Sequence, residues 1–220
     1  MSSNKLMLSW WFFNVTLLAA GTVTLALSIV WRQADILMNL ILPNMDLTVG
    51  LVLGFFFLVT WVFSIGAVIQ KNHITGGLVL LNWLLIADMV YLTVAGTVIW
   101  FFTLRMRDNF RTVWSEQTPS TRIAIQDMFK CCGYYNGTDL VEMGGTFCAD
   151  PDFVAQTESF CVTPITLRAD STLNPIFSTV YGFMAILLCF FMATLCVINE
   201  RKKEERFKKI DAKRGGRGFV

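Results

Sequence analysis

Six cysteines and a single histidine carry most of the reactive chemistry that this chain of 220 residues could offer. Four of the cysteines fall together, at Cys131, Cys132, Cys148 and Cys161. Structural zinc sites space their paired cysteines by a short gap, and Cys131-Cys132 has none. A redox pair of the Cys-x-x-Cys kind is absent too. On the oxidising side of a membrane an even set of cysteines reads as disulfides. Neighbouring cysteines do not readily bond each other, so Cys131 and Cys132 must each reach one of Cys148 and Cys161, which leaves two pairings open. Each bridge would contribute on the order of 3 kcal/mol to a segment with a thin core of its own. His73 alone cannot build a histidine-rich metal site, and no nucleophile–base set or phosphate loop is legible. The expectation is a protein that is not an enzyme and needs no cofactor.

The elements that hold these residues are unusually apolar. Hydrophobic residues make up 55% of the chain, charged residues only 15%, and the mean hydropathy is +0.56; soluble domains carry about 25% charged residues. Four stretches, 10–30, 47–69, 77–102 and 176–198, reach the roughly 20 residues that crossing a bilayer requires. The first is too long and lacks the cleavage site of a signal peptide, so it is expected to stay as a span. Asp88 is the only charged residue in the four. The tail 199–220 carries nine basic and four acidic residues, whereas 103–175 carries six basic and nine acidic, a net of −3. By the positive-inside rule both termini are cytoplasmic and 103–175 lies outside, with Trp10, Trp11, Trp31 and Trp100 at the interfaces. The fold expected is an all-α four-helix membrane bundle with a small outer loop (31–46), an inner loop (70–76) and a large disulfide-bonded, mainly helical outer loop (103–175). In the small loop the apolar run 36–42 should lie at the membrane interface or beneath the large loop.

Within the large loop, Met106, Phe110, Val113, Trp114 and Gln117 share one helical face, which predicts that the third span continues outward as an amphipathic helix. Pro119 should end it, and Ser120 or Thr121 should cap a second helix reaching about Lys130.

The pattern Ile125-Gln126-x-x-Phe129-x-Cys131-Cys132-Gly133, with two further cysteines between a third and fourth span, resembles the tetraspanins over the whole chain. Asn14 seven residues before Gly21, and Gly66-Ala67 followed by Asn72, extend the likeness. The resemblance implies the pairs Cys131–Cys161 and Cys132–Cys148, and a partner-recognition surface over 134–160. Glu205-Arg206-Phe207-Lys208-Lys209-Ile210-Asp211, the end Arg217-Gly218-Phe219-Val220 and Cys-Cys-Gly-Tyr-Tyr-Asn are most similar to fungal tetraspanins of plant-pathogen infection structures (appressoria). That subfamily implies a role in host penetration alongside a membrane NADPH oxidase. The implied function is a scaffold that gathers other integral membrane proteins at the plasma membrane or an endomembrane, as a homo- or hetero-oligomer. Departures from the family pattern are a fourth span without an acidic residue, no Pro-x-x-Cys at Cys148, few juxtamembrane cysteines, and Asn174-Pro175, which predicts a helix that stops and restarts.

Asp88 lies about 21 Å into its span at 1.5 Å per residue, where an ionised group costs about 3 kcal/mol to insert. Depth pairs it with Thr22 or Thr24, and pairs Asn82 with Asn14 or Thr60. The two layers read first as interhelical hydrogen bonds; a lipid or sterol contact, or a small transport role, is the alternative. Gly50 and Gly54 form a GxxxG, and Asn14, Gly21 and Ser28 recur along one stripe, so spans one and two should pack on small residues. Asn136-Gly137-Thr138 is a glycosylation acceptor. Cys196 near the inner end of span four is a candidate for palmitate or plain packing, and Cys189 lies mid-span. Glu204–Lys208 and Glu205–Lys209 are spaced to support a helical tail, which should stop at Gly215-Gly216 and whose charge favours anionic inner-leaflet lipids. The run 214–218 is too short to argue for nucleic acid, and 218–220 is a weak match to a PDZ ligand.

Overall fold

The computed structural model describes residues 2–32, 36–42, 44–69 and 75–213. The expectations for Lys71, Asn72 and His73, for the stop at Gly215-Gly216 and for the runs 214–218 and 218–220 lie outside them. Among the described residues eight helices follow in order: α1 (Ser2–Val30), α2 (Ile36–Ile41), α3 (Asn44–Ile69), α4 (Gly76–Leu104), α5 (Met106–Glu116), α6 (Pro119–Phe129), α7 (Pro151–Gln156) and α8 (Val162–Lys213). Among the described residues the only strand-like pairing is one antiparallel bridge between Gly144 and Cys148. Helices α1, α3, α4 and α8 are each long and apolar enough to cross a bilayer. The protein is all-α with four such helices and two disulfides.

Two compact units divide the chain. The first comprises Met1–Ser28, Thr48–Val94 and Tyr181–Val220. Inside it α1 meets α3 through small residues. A Cβ added at Gly54 would lie 2.7 Å from Leu25 Cγ and 3.1 Å from the Gly21 carbonyl oxygen, and one at Gly50 would lie 2.7 Å from Ser28 Oγ. Close backbone approach is what small residues permit where no hydrophobic force sorts one helix from the lipid. Aromatic contacts join the other pairs: Trp10 and Phe13 meet Phe190 of α8, Phe57 of α3 meets Phe183 of α8, and Phe56 of α3 meets Tyr91 of α4. The Tyr91 hydroxyl donates to the Val49 carbonyl at 3.2 Å.

The second unit comprises Ile29–Leu47 and Ala95–Val180. Leu40, Ile41 and Leu42 are buried with Phe110, Trp114, Ile125 and Tyr134 in one apolar core, so the apolar run of the small loop packs beneath the large one. Three local expectations are corrected. The third span does not continue unbroken: α4 ends at Leu104 and α5 starts at Met106, with Arg105 between them at φ −123°. The Asn109 side chain donates to the Phe102 carbonyl at 2.8 Å and so satisfies an acceptor at the break. Thr118, not Ser120 or Thr121, caps α6 by accepting from the Thr121 N–H, and Pro119 occupies the first turn, where its missing N–H costs nothing. Finally, α8 is continuous through Pro175. Asn174 donates to the Asp170 carboxylate one turn back at 3.1 Å and caps nothing.

Candidate partner surface and buried polar track

The adjacent cysteines work because two different strands of chain return to them. Cys131 is bonded to Cys161 with Cα atoms 5.0 Å apart, and Cys132 to Cys148 at 5.9 Å. Lys130 ends α6 in the left-handed conformation (φ 52°), which turns the chain so that consecutive side chains reach separate partners. Backbone bonds then bind the two ends of the excursion: Cys132 N–H to Ser159 O (2.9 Å), Cys161 N–H to Gly133 O (3.0 Å) and Val162 N–H to Tyr134 O (3.1 Å). Gly133 sits at φ 69°, and a Cβ there would run into the Asn136 carbonyl oxygen; glycine is required on both counts. The buried amide of Gln126, turned to satisfy both its ends, donates to the Glu142 carbonyl and accepts from the Gly133 N–H, each at 3.1 Å. Ile125 beside it is fully buried. Gln126 thus ties α6 to the glycine after the cysteine pair.

The stretch 134–160 is moored to the helices by its side chains. Arg111 of α5 holds Asp139 in a two-pronged ion pair (3.1 and 2.8 Å), and Arg122 of α6 holds Glu142 at 2.8 Å. Asp127 of α6 receives the N–H groups of Thr146 (2.9 Å) and Phe147 (2.8 Å). The Phe147 and Thr146 donors keep the Asp127 carboxyl below its ordinary range, and the Arg111 guanidinium does the same for Asp139. Trp114 Nε1 donates to the Leu140 carbonyl at 3.2 Å, and the buried Tyr134 hydroxyl donates to the Arg107 carbonyl at 2.7 Å. Burial pushes the Tyr134 phenol up, beyond its usual range. Helix α7, capped by Asp150 on the Asp152 N–H, faces outward on all but its Val154 side. Beside it lies the exposed Asn136, whose side-chain Oδ1 accepts from both the N–H and the hydroxyl of Thr138 (3.0 and 2.8 Å).

In the first unit the buried polar groups pair differently from the depth count. Thr60 of α3 bonds the carboxyl of Asp88 on α4, and Asn14 of α1 bonds Ser64 of α3. Thr22 and Thr24 are turned back on the Leu18, Ala19 and Ala20 carbonyls of their own helix, which removes them as partners for Asp88. Asn82, buried on α4, bonds neither Asn14 nor Thr60, and its Oδ1 has no partner. Among the described residues four buried side-chain polar atoms have no partner: Trp10 Nε1, Asn14 Oδ1, Asn82 Oδ1 and Asp88 Oδ2. Cys189 and Cys196 are free thiols on the exposed side of α8. Arg201 of α8, one basic residue among nine in the tail and without a motif to mark it, is buried and donates to the Ala67 and Val68 carbonyls at 3.5 and 3.2 Å. In the tail Glu205 pairs with Lys209 at 2.7 Å and Glu200 with Lys203 at 3.7 Å. Among the described residues no group of three His, Cys, Asp or Glu could hold a metal ion. Comparison with family models, with curated proteins and with solved structures gives no match for this chain.

Proposed function

We propose that the chain is a tetraspanin-type membrane scaffold: a four-span protein with cytoplasmic termini that gathers other integral membrane proteins through its large outer loop. The observation that carries this is the loop itself. Two bridges from one Cys-Cys-Gly turn clasp 134–160, and a buried core moors it, so that a small stapled surface is presented. Four apolar helices support the membrane placement, at the plasma membrane or an endomembrane. The basic end of α8 supports attraction to anionic inner-leaflet lipids. The similarity to fungal infection-structure proteins makes host penetration, with an NADPH oxidase as a partner, the setting to examine first. Asn136, exposed in its turn, is the glycan acceptor in this reading, and Cys196 the palmitate acceptor.

One observation favours a second reading. Asp88 Oδ2, Asn14 Oδ1 and Asn82 Oδ1 are buried among apolar helices without partners, and a polar lipid headgroup, a sterol hydroxyl or a small transported solute would satisfy them. Purification of the tagged protein in gentle detergent, with 134–160 exchanged for an unrelated loop as control, separates the two. Loss of co-purifying membrane proteins in the exchange supports the scaffold. Identical partners with both proteins would remove the loop from the function, and no partner with either would favour the lipid or transport reading.

A further inference from the structure

Charge inside the large loop is distributed unevenly. Residues 134–160 contain five acidic residues, Asp139, Glu142, Asp150, Asp152 and Glu158, and no basic one. Two of the five are neutralised from outside the stretch, Asp139 by Arg111 and Glu142 by Arg122. The other three stand on or beside α7. Asp150 is engaged only by the Asp152 N–H of its own helix turn, and among the described residues Asp152 and Glu158 have no basic partner. All three are exposed. The stretch therefore keeps its unbalanced negative charge in one place, α7 and the residue just past it.

Between Asp152 and Glu158 in the chain stands an apolar side chain with a firm base. Phe153 is 44% exposed. It stands edge-on to Phe147 with ring centroids 5.3 Å apart, and Phe147 packs against the cluster of Cys132, Cys148 and Val154. The second disulfide thus fixes the base on which Phe153 sits. Aromatic side chains, Phe among them, are enriched in the cores of protein interfaces, and uncompensated charge of one sign selects a partner of the other sign and speeds encounter.

We propose that α7 is a docking knob for a basic, apolar-containing outer segment of a partner protein, with Phe153 as the apolar anchor and Asp152 and Glu158 as its flanking charges. The proposal rests on the reading of 134–160 as the partner surface and specifies the chemistry of what binds there. Asn136 borders the knob: the next residue, Gly137, lies so close to Val154 of α7 that a Cβ would come within 2.7 Å of its carbonyl oxygen. A glycan on Asn136 would therefore rise beside α7 and narrow access to it.

The test uses the full chain in phosphatidylcholine nanodiscs and two fluorescent peptides of equal length and apolar content, one of net charge about +3 and one of about −3, a span over which electrostatic selection is strong. The expected result is at least tenfold tighter binding of the cationic peptide, weakening as salt screens the charges. Phe153→Ala, and Asp152→Asn with Glu158→Gln, should each lose most of that preference while retaining both disulfides on a non-reducing gel. Equal binding of the two peptides, or variants that bind like the parent, would overturn it. Partner purification distinguishes the levels. Partners lost on exchanging 134–160 but kept by the α7 variants would sink the knob and leave the scaffold standing, whereas partners kept by both would sink the loop assignment itself.

Discussion

Thr60 and Ser64 stand one helical turn apart on α3 and take the most buried polar side chain of α4, Asp88, and of α1, Asn14. Three helices are thereby joined along one short polar track. Interhelical hydrogen bonds in membranes contribute about 0.6 kcal/mol on average and up to about 1.7. Thr60→Val and Ser64→Ala, each leaving a buried partner unsatisfied, should lie at the upper end of that range. Thr22→Val and Thr24→Val, which remove only bonds to their own helix, should change stability by less than about 0.5 kcal/mol. Unfolding of the full chain in mixed micelles measures all four, and equal effects from the two pairs would contradict the track.

The small residues between α1 and α3 make a graded series. At Gly54 an added methyl meets Leu25 Cγ at 2.7 Å and the fixed backbone of Gly21 at 3.1 Å; at Gly50 it meets only the Ser28 hydroxyl, which can rotate; at Gly66 it meets nothing within 4 Å. Overpacking typically costs about 1–3 kcal/mol. The order of destabilisation should be Gly54→Ala, then Gly50→Ala, with Gly66→Ala neutral or slightly stabilising because alanine favours helix. Thermal unfolding in detergent reads the series, and Gly66→Ala as the worst of the three would refute this packing.

Long apolar runs made the four long helices legible, because length and hydropathy are properties of a single segment. The face shared by Phe110 and Trp114 was legible for a similar reason: both are buried in the core. Polar pairing was not. It depends on the rotation of one helix about its axis and on its offset along a neighbour, and depth counting contains neither. Asp88 bonds Thr60, while the candidates at matching depth, Thr22 and Thr24, bond carbonyls of their own helix. The cap of α6 was displaced by a turn chemistry in which Pro119 prefers the first helical position to the last. Pro175 misled in the opposite direction: a proline usually ends or kinks a helix, yet α8 carries through it. Gln126 had a visible signal, a polar residue beside the fully buried Ile125, but its role needed the Gly133 N–H to be seen next to it.

The two bridges close loops of different size, with sequence separations of 30 for Cys131–Cys161 and 16 for Cys132–Cys148. Chain entropy alone makes both worth about 3–4 kcal/mol and separates them by only about half a kcal/mol. Position separates them further. Cys131 and Cys161 sit in the main core with Trp114 and Ile165, while Cys132 and Cys148 share a small cluster with Val154. Replacing the first pair by alanine should expose the whole loop to protease, and replacing the second should loosen 144–158 first. Limited proteolysis of the full chain, mapped by mass spectrometry, reports which segment is cut.

Acid should loosen the moorings of 134–160 in a defined window. Asp127 and Asp139 both have folded-state carboxyls held below the ordinary value of 3.8 by their donors. A group depressed on folding adds stability that is complete above its unfolded value and disappears as pH falls through its folded one. Protection of the Thr146 and Phe147 amides should therefore be constant from neutral pH to about pH 5 and fall below the ordinary carboxylate range. Asp127→Asn should weaken that protection at neutral pH and flatten the acid limb. Hydrogen exchange of the full chain, corrected for the intrinsic pH dependence of exchange, tests the sign, and protection that rose on acidification would refute it.

Arg201 supplies the last test, because the basic tail has two roles that one variant can separate. Its guanidinium reaches the Ala67 and Val68 carbonyls, two of the unsatisfied acceptors at the end of α3, which closes at Ile69. A cation at a helix C-terminus is favourable in its own right, and a planar fork can span two carbonyls where an ammonium offers a point charge. Hydrogen bonds from a charged donor contribute about 1.5–3 kcal/mol when buried, so Arg201→Ala should destabilise the full chain by about that much and Arg201→Lys by less. Lys202→Ala and Lys203→Ala, both exposed, should stay within about 0.5 kcal/mol. Orientation in the membrane should not change in any of the four, since eight of the nine basic residues after Ile198 would remain. Unfolding in mixed micelles and cysteine accessibility from either side of the membrane read the two quantities separately. Equal effects from Arg201, Lys202 and Lys203 would reduce Arg201 to one more charge in the tail.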